Sequence, residues 1–500
     1  MGGRTALAIG VAAVAGVIGY DLTQRRHAVL RNFPLLGHFR YVLEEVGPEL
    51  RQYIVTSNTE EKPFDRDHRR WIYASAKHED NYFAFGTVQD LETSPSYPII
   101  KHSPFPVSSP VVGEPDYDAQ NQIAVAKEMG AARGRRHSFR PSSVVNVSGM
   151  SFGALSSNAI RALNRGALVA GCLHNSGEGG ISDYHRQGGE LVWQLGSGYF
   201  GARDERGRLD LGRLCEVVAE NPVCAIEIKL SQGAKPGLGG LLPAAKITPE
   251  ISRIRGVPMG RDCVSPAAHP EFHDVDSLLD FVEGIADATG LPVGIKSAVG
   301  QASFWSELAE RMASEERGVD FITIDGGEGG TGAAPLVFAD QVSLPFKIGF
   351  ARVYREFAQR GITDRVVFAG SGKLGFPDDA LFAFALGCDM VNVAREAMIS
   401  IGCIQAQRCH SGKCPTGVAT QNPWFVRGLD PELKAERLAS YVITLRKELL
   451  ALSRACGVTH PSLVTLDHID VIDDRFGATP AREVFGYEPD WSVPPNPEVP

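Results

Sequence analysis

Residues 366–396 read VVFAGSGKLGFPDDALFAFALGCDMVNVARE. A short apolar run, Val366–Ala369, leads into a glycine turn, Gly370-Ser371-Gly372-Lys373. An apolar segment of helical length, Asp378–Leu386, follows, and then a second apolar run, Met390–Ala394. Strand, turn, helix and strand in that order make a βαβ unit, whose two strands lie parallel. Both runs are apolar at nearly every position, the pattern of strands buried on both faces.

The same unit recurs toward the N-terminus. Further runs stand at Val144–Ser148, Cys172–Asn175, Val192–Leu195, Ala225–Leu230, Val293–Ser297 and Phe321–Asp325, which makes eight with the pair above. Ser156–Ala170 and Val275–Thr289 have the period of intervening helices. Eight strands in about 250 residues fit a closed (β/α)8 TIM barrel better than an open doubly wound sheet. Ser231–Asp274 interrupts the repeat as an insertion.

The expected organisation is an apolar segment over residues 1–24, a leader packing on the barrel over 25–140, the barrel over 141–425, and C-terminal helices and a tail over 426–500. In the leader, Gly47–Ile54 reads as helix, Glu60–Arg70 as a solvated charged surface, and the proline-rich Ser94–Val111 as extended chain. Asp430–Gly457 predicts one or two amphipathic helices, and the proline-rich tail from Trp491 predicts a mobile end.

Of the 500 residues, 43% are apolar, and the net charge is −9, which argues against a general nucleic-acid binder. Nine irregularly spaced cysteines suit a reducing compartment better than a disulfide framework. Thr5–Tyr20 carries no charge over sixteen residues. A bilayer span needs about 20, so the run reads as a short anchor, a buried helix or a cleaved signal. Arg25, Arg26 and Arg31 follow it, and basic residues on that side place it on the cytoplasmic face of a membrane; a cytoplasmic chain is the alternative.

In a barrel of this kind, chemistry sits at the C-terminal ends of the strands. Those ends carry Gly149, Met150 and Ser151; Asn175 to Gly180, with Glu178 among them; Gln194; Gln232 to Gly237, with Lys235; Lys296; Asp325, Gly326 and Gly327; Gly370, Ser371 and Gly372; and Ala394 and Arg395. Taken singly, each glycine run is an ordinary tight βα turn. The seventh and eighth ends suit a phosphate, held on backbone N–H groups with Arg395 adding charge. A cofactor with its phosphate there and its ring over the first strand has the shape of flavin mononucleotide (FMN). No dinucleotide-binding turn follows the first strand. Lys235 is suited to a substrate carboxylate, and Glu178 to a proton or an ammonium. Lys296 could stabilise the negative charge of a reduced flavin; the plainer alternative is a snorkelling lysine.

Downstream lies Cys403-x5-Cys409-x4-Cys414-Pro415. Three thiolates so close together, with proline after the last, suit an iron–sulfur centre. Three ligands fit a three-iron cluster or a four-iron cluster with an open site. Three unrelated buried cysteines are the bland alternative.

These strings, in this order, resemble the flavin domain of glutamate synthase. The resemblance is carried by Met150-Ser151-Phe152-Gly153, Asn175-x-Gly177-Glu178-Gly179-Gly180, Gln194 with Gly198-x-Phe200-Gly201, and Gln232-Gly233-Ala234-Lys235-Pro236-Gly237. It continues through Asp325-Gly326-Gly327 and the cysteine loop as far as Val418-Ala419-Thr420-Gln421, covering about residues 95–425. It implies an FMN-binding barrel with a 3Fe-4S cluster on Cys403, Cys409 and Cys414. It further implies amination of 2-oxoglutarate by ammonia to an imine, which reduced flavin converts to glutamate. Glu178, Gln232 and Lys235 match residues on the substrate side of the flavin. Ferredoxin or a reductase subunit would supply electrons. The family's glutaminase domain, with its N-terminal cysteine, and its large C-terminal domain find no counterpart here, so free ammonia or a partner amidotransferase is the expected nitrogen source. Leu238 and Leu241 replace expected polar residues and predict a less polar pocket. Two alternatives are a flavin barrel acting on a different carbonyl or imine, and a membrane-associated flavin and iron–sulfur electron-transfer subunit. A 2-hydroxyacid oxidase is disfavoured, because no strand-end histidine presents a base; His174 precedes Asn175.

Overall fold

The computed structural model describes residues 2–24, 28–82, 85–91, 94–473 and 475–494. The chain divides into two compact units, Met1–Arg69 and Arg70–Pro500.

The larger unit is built on eight parallel strands: β1 (Val145–Val147), β2 (His174–Asn175), β3 (Leu191–Leu195), β4 (Val223–Lys229), β5 (Val293–Ser297), β6 (Phe321–Asp325), β7 (Val367–Ser371) and β8 (Met390–Val393). They pair in chain order, and β8 pairs with β1 through Val393 and Val147, which closes the barrel. All eight expected runs are strands. β7 extends two residues beyond its apolar run, because Gly370 and Ser371 still pair with Ile324 and Asp325 of β6. The turn therefore starts at Gly372, whose φ of 120° suits glycine.

Helices pack outside the strands. Ser156 caps Ser157–Ala170 by accepting from Ala159 N, and Asp274 caps Val275–Thr289 by accepting from Ser277 N. Gly171 and Gly290 end these helices in the left-handed conformation. The link from β2 to β3 holds only a 3-10 turn, Asp183–His185, where glycines at 177, 179, 180, 188 and 189 oppose a helix.

Pro431–Ala455 is a single 25-residue helix lying along Ser157–Ala170. The two backbones approach closely at Gly166, where a Cβ would sit 2.7 Å from Ala435 O and 2.8 Å from Leu438 Cβ. Arg446, fully buried, fastens the long helix by donating to Ala170 O and Gln120 O at 2.9 Å each. The extended stretch expected over Ser94–Val111 contains a strand, Tyr97–Ile100, antiparallel to Ile469–Ile472, which in turn pairs with Ala478–Pro480. Trp491 packs edge-on against Tyr487 at 5.6 Å. The rest of the expected mobile tail, residues 495–500, lies outside the described residues.

The smaller unit begins with a 22-residue helix, Gly2–Thr23, followed by Ala28–Asn32 and Leu36–Leu50, which runs into a π turn, Arg51–Val55. Twenty-two residues rise about 33 Å. That exceeds a hydrocarbon core of about 30 Å, so the helix is longer than its uncharged run predicts. Arg25 and Arg26, on which the expected orientation rests, lie outside the described residues. The charged run Glu60–Arg70 is a solvated surface only in part: Glu60, Lys62 and Arg70 are exposed. Glu61 and Arg69 are both buried and form a bidentate pair at 3.0 and 2.5 Å. Each thus satisfies a charge that would be costly to bury alone.

Gly166→Val should overpack the contact with Ala435 and Leu438 and destabilise the chain by about 1–3 kcal/mol. Urea denaturation checks it; an unchanged midpoint would show that the two helices part freely.

Candidate active site

A buried carboxylate inside the barrel organises the strand ends around it. Glu227, on β4 with its neighbours apolar, accepts from Asn175 Nδ2 at 2.8 Å and Gln194 Nε2 at 2.6 Å. Its other oxygen accepts from Thr323 Oγ1 at 2.7 Å. One acidic group therefore ties β2, β3, β4 and β6. Asn175 Oδ1 also accepts from Gly177 N at 3.0 Å, which sets the turn carrying Glu178. Gly149 lies against the same pair of amides. A Cβ there would sit 2.8 Å from Asn175 Oδ1 and 2.9 Å from Gln194 Nε2. Sequence reading found Gly149, Asn175 and Gln194 but missed Glu227. An acidic residue flanked by Ile226 and Ile228, mid-strand in the run Ala225–Leu230, was the signal.

A second cluster stands above it. Lys229, at the end of β4, lies 3.0 Å from Glu178 Oε1 and donates to Gln232 Oε1 at 2.6 Å. Lys235 Nζ donates to Gly239 O at 2.9 Å. Glu178 is held between two glycines, since a Cβ on either Gly196 or Gly240 would collide with its carboxylate. Burial pushes the Glu178 carboxyl up, but Lys229, with Lys235 and Arg255 behind it, outweighs this and holds it below its ordinary value. Burial pulls the Lys235 ammonium down, and Lys229 adds to the effect.

The insertion builds much of this wall. It supplies Gln232, Lys235 and Arg255, whose Nη2 donates to Phe152 O at 3.1 Å and Ser151 Oγ at 3.3 Å. It also supplies His269, which bonds the Lys229 carbonyl at 2.9 Å and the Tyr199 hydroxyl at 2.8 Å. Leu238 and Leu241 remain over a third exposed, while the side chains that converge are charged. Arg255 and His269 escaped notice because nothing in the long insertion says which positions fold back, and Lys229 because it closes a strand and carries no glycine turn of its own.

On the opposite side, Lys296 of β5 is buried 3.7 Å from Asp325 Oδ1, so it is paired and does not snorkel. Asp325 Oδ2 accepts from Gly233 N at 2.7 Å. Gly326 N donates to Ser371 O at 2.8 Å, which draws the ends of β6 and β7 together, and a Cβ on Gly372 would come within 3.0 Å of Gly326 N. Arg395 opens the short helix Arg395–Ser400, and its guanidinium donates to the Glu328 carbonyl. Glu328 in turn accepts from Phe346 N at 2.8 Å. The glycines at these ends allow close packing: a Cβ on Gly326 would come within 2.5 Å of Phe346 Cβ, and one on Gly370 within 2.8 Å of Leu374.

The cysteine loop is less complete. Lys246, from the insertion, donates to Cys409 O at 2.7 Å. Burial, with Cys414 beside it, pushes the Cys409 thiol up. Cys403 is held by other contacts: its Sγ accepts from Gln405 N at 3.4 Å and its carbonyl from the Tyr73 hydroxyl at 2.7 Å. Among the described residues, no three ligating side chains converge as a metal site. The loop as folded does not present the expected three-thiol set.

A closed parallel barrel with helices outside it defines the class: a (β/α)8 fold, whose enzymes carry their sites at the C-terminal strand ends. A family model described as a conserved region in glutamate synthase matches residues 117–459. The chain belongs to the glutamate synthase family, whose members are oxidoreductases. It is 36% identical over 492 residues to the glutamate synthase large subunit-like protein YerD of Bacillus subtilis, a match covering 93% of each. It is also 36% identical over 318 residues to the archaeal glutamate synthase (NADPH) of Methanocaldococcus jannaschii. That match takes in 63% of this chain and 59% of the archaeal protein. A mandelate oxidase structure aligns with 87% of this chain and 99% of its own at 14% identity, with a TM-score of 0.42.

Two outcomes test this geometry. Glu227→Leu should strand the donors of Asn175, Gln194 and Thr323, each costing about 1–3 kcal/mol, so urea denaturation should show a loss of about 3 kcal/mol or more. Glu178, its folded pKa below an unfolded value of about 4.3, stabilises the fold above that value and loses this as pH falls through the folded one. Lys229→Met removes the compensation for burial, so acid unfolding followed by circular dichroism should move to higher pH.

Proposed function

We propose that the barrel mouth binds FMN and reduces an imine, formed from a 2-oxo acid and ammonia, to an amino acid. The observation that carries this is the cluster of Glu178, Lys229, Gln232 and Lys235 at the C-terminal strand ends. Family membership supports it. Gly370, Ser371, Gly372, Ala394 and Arg395 would hold the phosphate. Gly149, Met150, Ser151, Asn175 and Gln194 would lie along the ring, with Lys296, Asp325, Gly326 and Gly327 on its other side. The bound flavin supplies the two electrons that the C=N bond takes up. Lys235 pairs with the substrate carboxylate. Glu178, kept ionised beside Lys229, binds ammonium or positions the imine nitrogen and accepts a proton as the imine forms. Gln232 fixes Lys229 and so keeps Glu178 in place.

2-Oxoglutarate is the proposed acceptor, since a second carboxylate suits the neighbouring cations Lys229 and Arg255. Free ammonia or a partner amidotransferase provides the nitrogen, and ferredoxin or a reductase subunit the electrons. We also propose a 3Fe-4S cluster on Cys403, Cys409 and Cys414, for which the loop must draw Cys403 toward the other two. Its support is the thiol spacing. The Gly2–Thr23 helix is proposed as a single anchor that keeps the barrel on the cytoplasmic side.

Heat-released flavin should co-elute with FMN, and Lys235→Ala should raise the KM for 2-oxoglutarate by roughly tenfold or more, the loss of one charged contact. Full activity in that variant would exclude Lys235 from the carboxylate site. Anaerobically purified protein should contain iron and sulfide that Cys409→Ser loses; equal iron in the serine variant would remove the cluster from this reading.

A further inference from the structure

A second apolar element follows the N-terminal helix. At about 100° per residue, Leu36, Phe39, Val42, Leu43, Val46 and Leu50 fall in one arc of helix Leu36–Leu50. Their exposures run from 41% at Val46 and Leu50 to 77% at Leu36. Arg40, Glu44 and Glu45 lie across the helix, with Arg40 and Glu44 paired at 2.8 Å. Ile54 and Val55 in the following turn are about as exposed as Leu36, at 74% and 75%. An amphipathic helix normally turns such an arc inward.

The stripe is fastened to the end of the first helix. Asp21, fully buried, accepts from Leu35 N at 3.0 Å and from His38 Nε2 at 2.9 and 3.0 Å through its two oxygens. Gly37 packs on Leu30, where a Cβ would come within 3.0 Å of the leucine side chain. These contacts set the start of the stripe level with the end of the apolar helix. For a helix that spans a bilayer, that level is the membrane–water interface. Tyr20, Phe33 and Phe39 are exposed there, and aromatic rings favour that depth.

We propose that helix Leu36–Leu50 lies in the plane of the membrane surface, its apolar arc among the acyl chains, as a second lipid contact joined to the first by Asp21 and His38. This rests on the reading of Gly2–Thr23 as an anchor. Continuity with that helix is what assigns lipid, and not another protein, to the stripe. Because Glu44 and Glu45 outnumber Arg40 on the polar face, insertion of the apolar arc drives the contact, and anionic headgroups are not needed.

Full-length protein in phosphatidylcholine nanodiscs, carrying a photo-crosslinking benzoylphenylalanine at one position at a time, tests this. Positions 39 and 46 should give lipid adducts at about tenfold the yield of position 45 on the polar face, as an in-plane helix requires. Position 7, within the anchor, should also label lipid. Lipid adducts at position 7 with none at 39 and 46 would overturn the in-plane helix and leave the anchor standing. No lipid adduct at any of the three would overturn both. Protein adducts at 39 and 46, within the chain or to a second copy, would show that protein covers the stripe and would overturn the proposal.

Discussion

The carboxylate of Glu227 is the constraint on which the barrel mouth depends. It lies inside the barrel, where an unpaired charge would be costly, and it receives three hydrogen bonds from three other strands. Each donor is thereby fixed in rotamer. Asn175, held at its Nδ2, has its Oδ1 directed to Gly177 N, and so determines the turn that presents Glu178. Gln194, held at its Nε2, forms the floor against which Gly149 packs. A buried polar group of this kind specifies the mouth because all its partners must be present together.

The charges above that floor are arranged as a ladder. Glu227 is followed on the same strand by Lys229, which points to Glu178 and Gln232. Lys235 and Arg255 add positive charge from the insertion. Against the cost of burial, Lys229, with Lys235 and Arg255, holds the Glu178 carboxyl below its ordinary value, while burial lowers the pKa of the Lys235 ammonium. The two effects oppose each other: the cations hold Glu178 in its charged form, while burial works against the charge of Lys235.

The barrel was legible because buried parallel strands leave apolar runs that need no partner to be recognised. β5 and β6 fall on their expected residues, and the helix Val275–Thr289 has its expected ends. Local caps made this so: Asp274 and Gly290 mark that helix without reference to the rest of the fold. The mouth was legible where its residues sit beside a strand end, as Asn175 and Asp325 do. It was illegible where a residue acts from far along the chain. Arg255 reaches Ser151 across 104 positions, and His269 reaches Tyr199 across 70, and neither carries a local signature. The buried pair within the charged run Glu60–Arg70 was missed for a related reason. A helix turns Arg69 back onto Glu61, and a pair that buries its own charges looks, residue by residue, like a solvated surface.

The cysteine loop shows where the two kinds of information part. Spacing places three thiols within twelve positions, but their convergence depends on what they bind. Desolvation raises the pKa of a thiol, as it does for the half-buried Cys409. Ligation reverses this, because the metal supplies the charge that burial otherwise opposes. Lys246, donating to the Cys409 carbonyl, brings positive charge to the same place and would favour anionic sulfur there. The folded loop and the spacing are therefore two halves of one account: the chain positions Cys409 and Cys414 through the insertion, and bringing Cys403 to them is work that a bound cluster, and not the packing of the loop alone, would do.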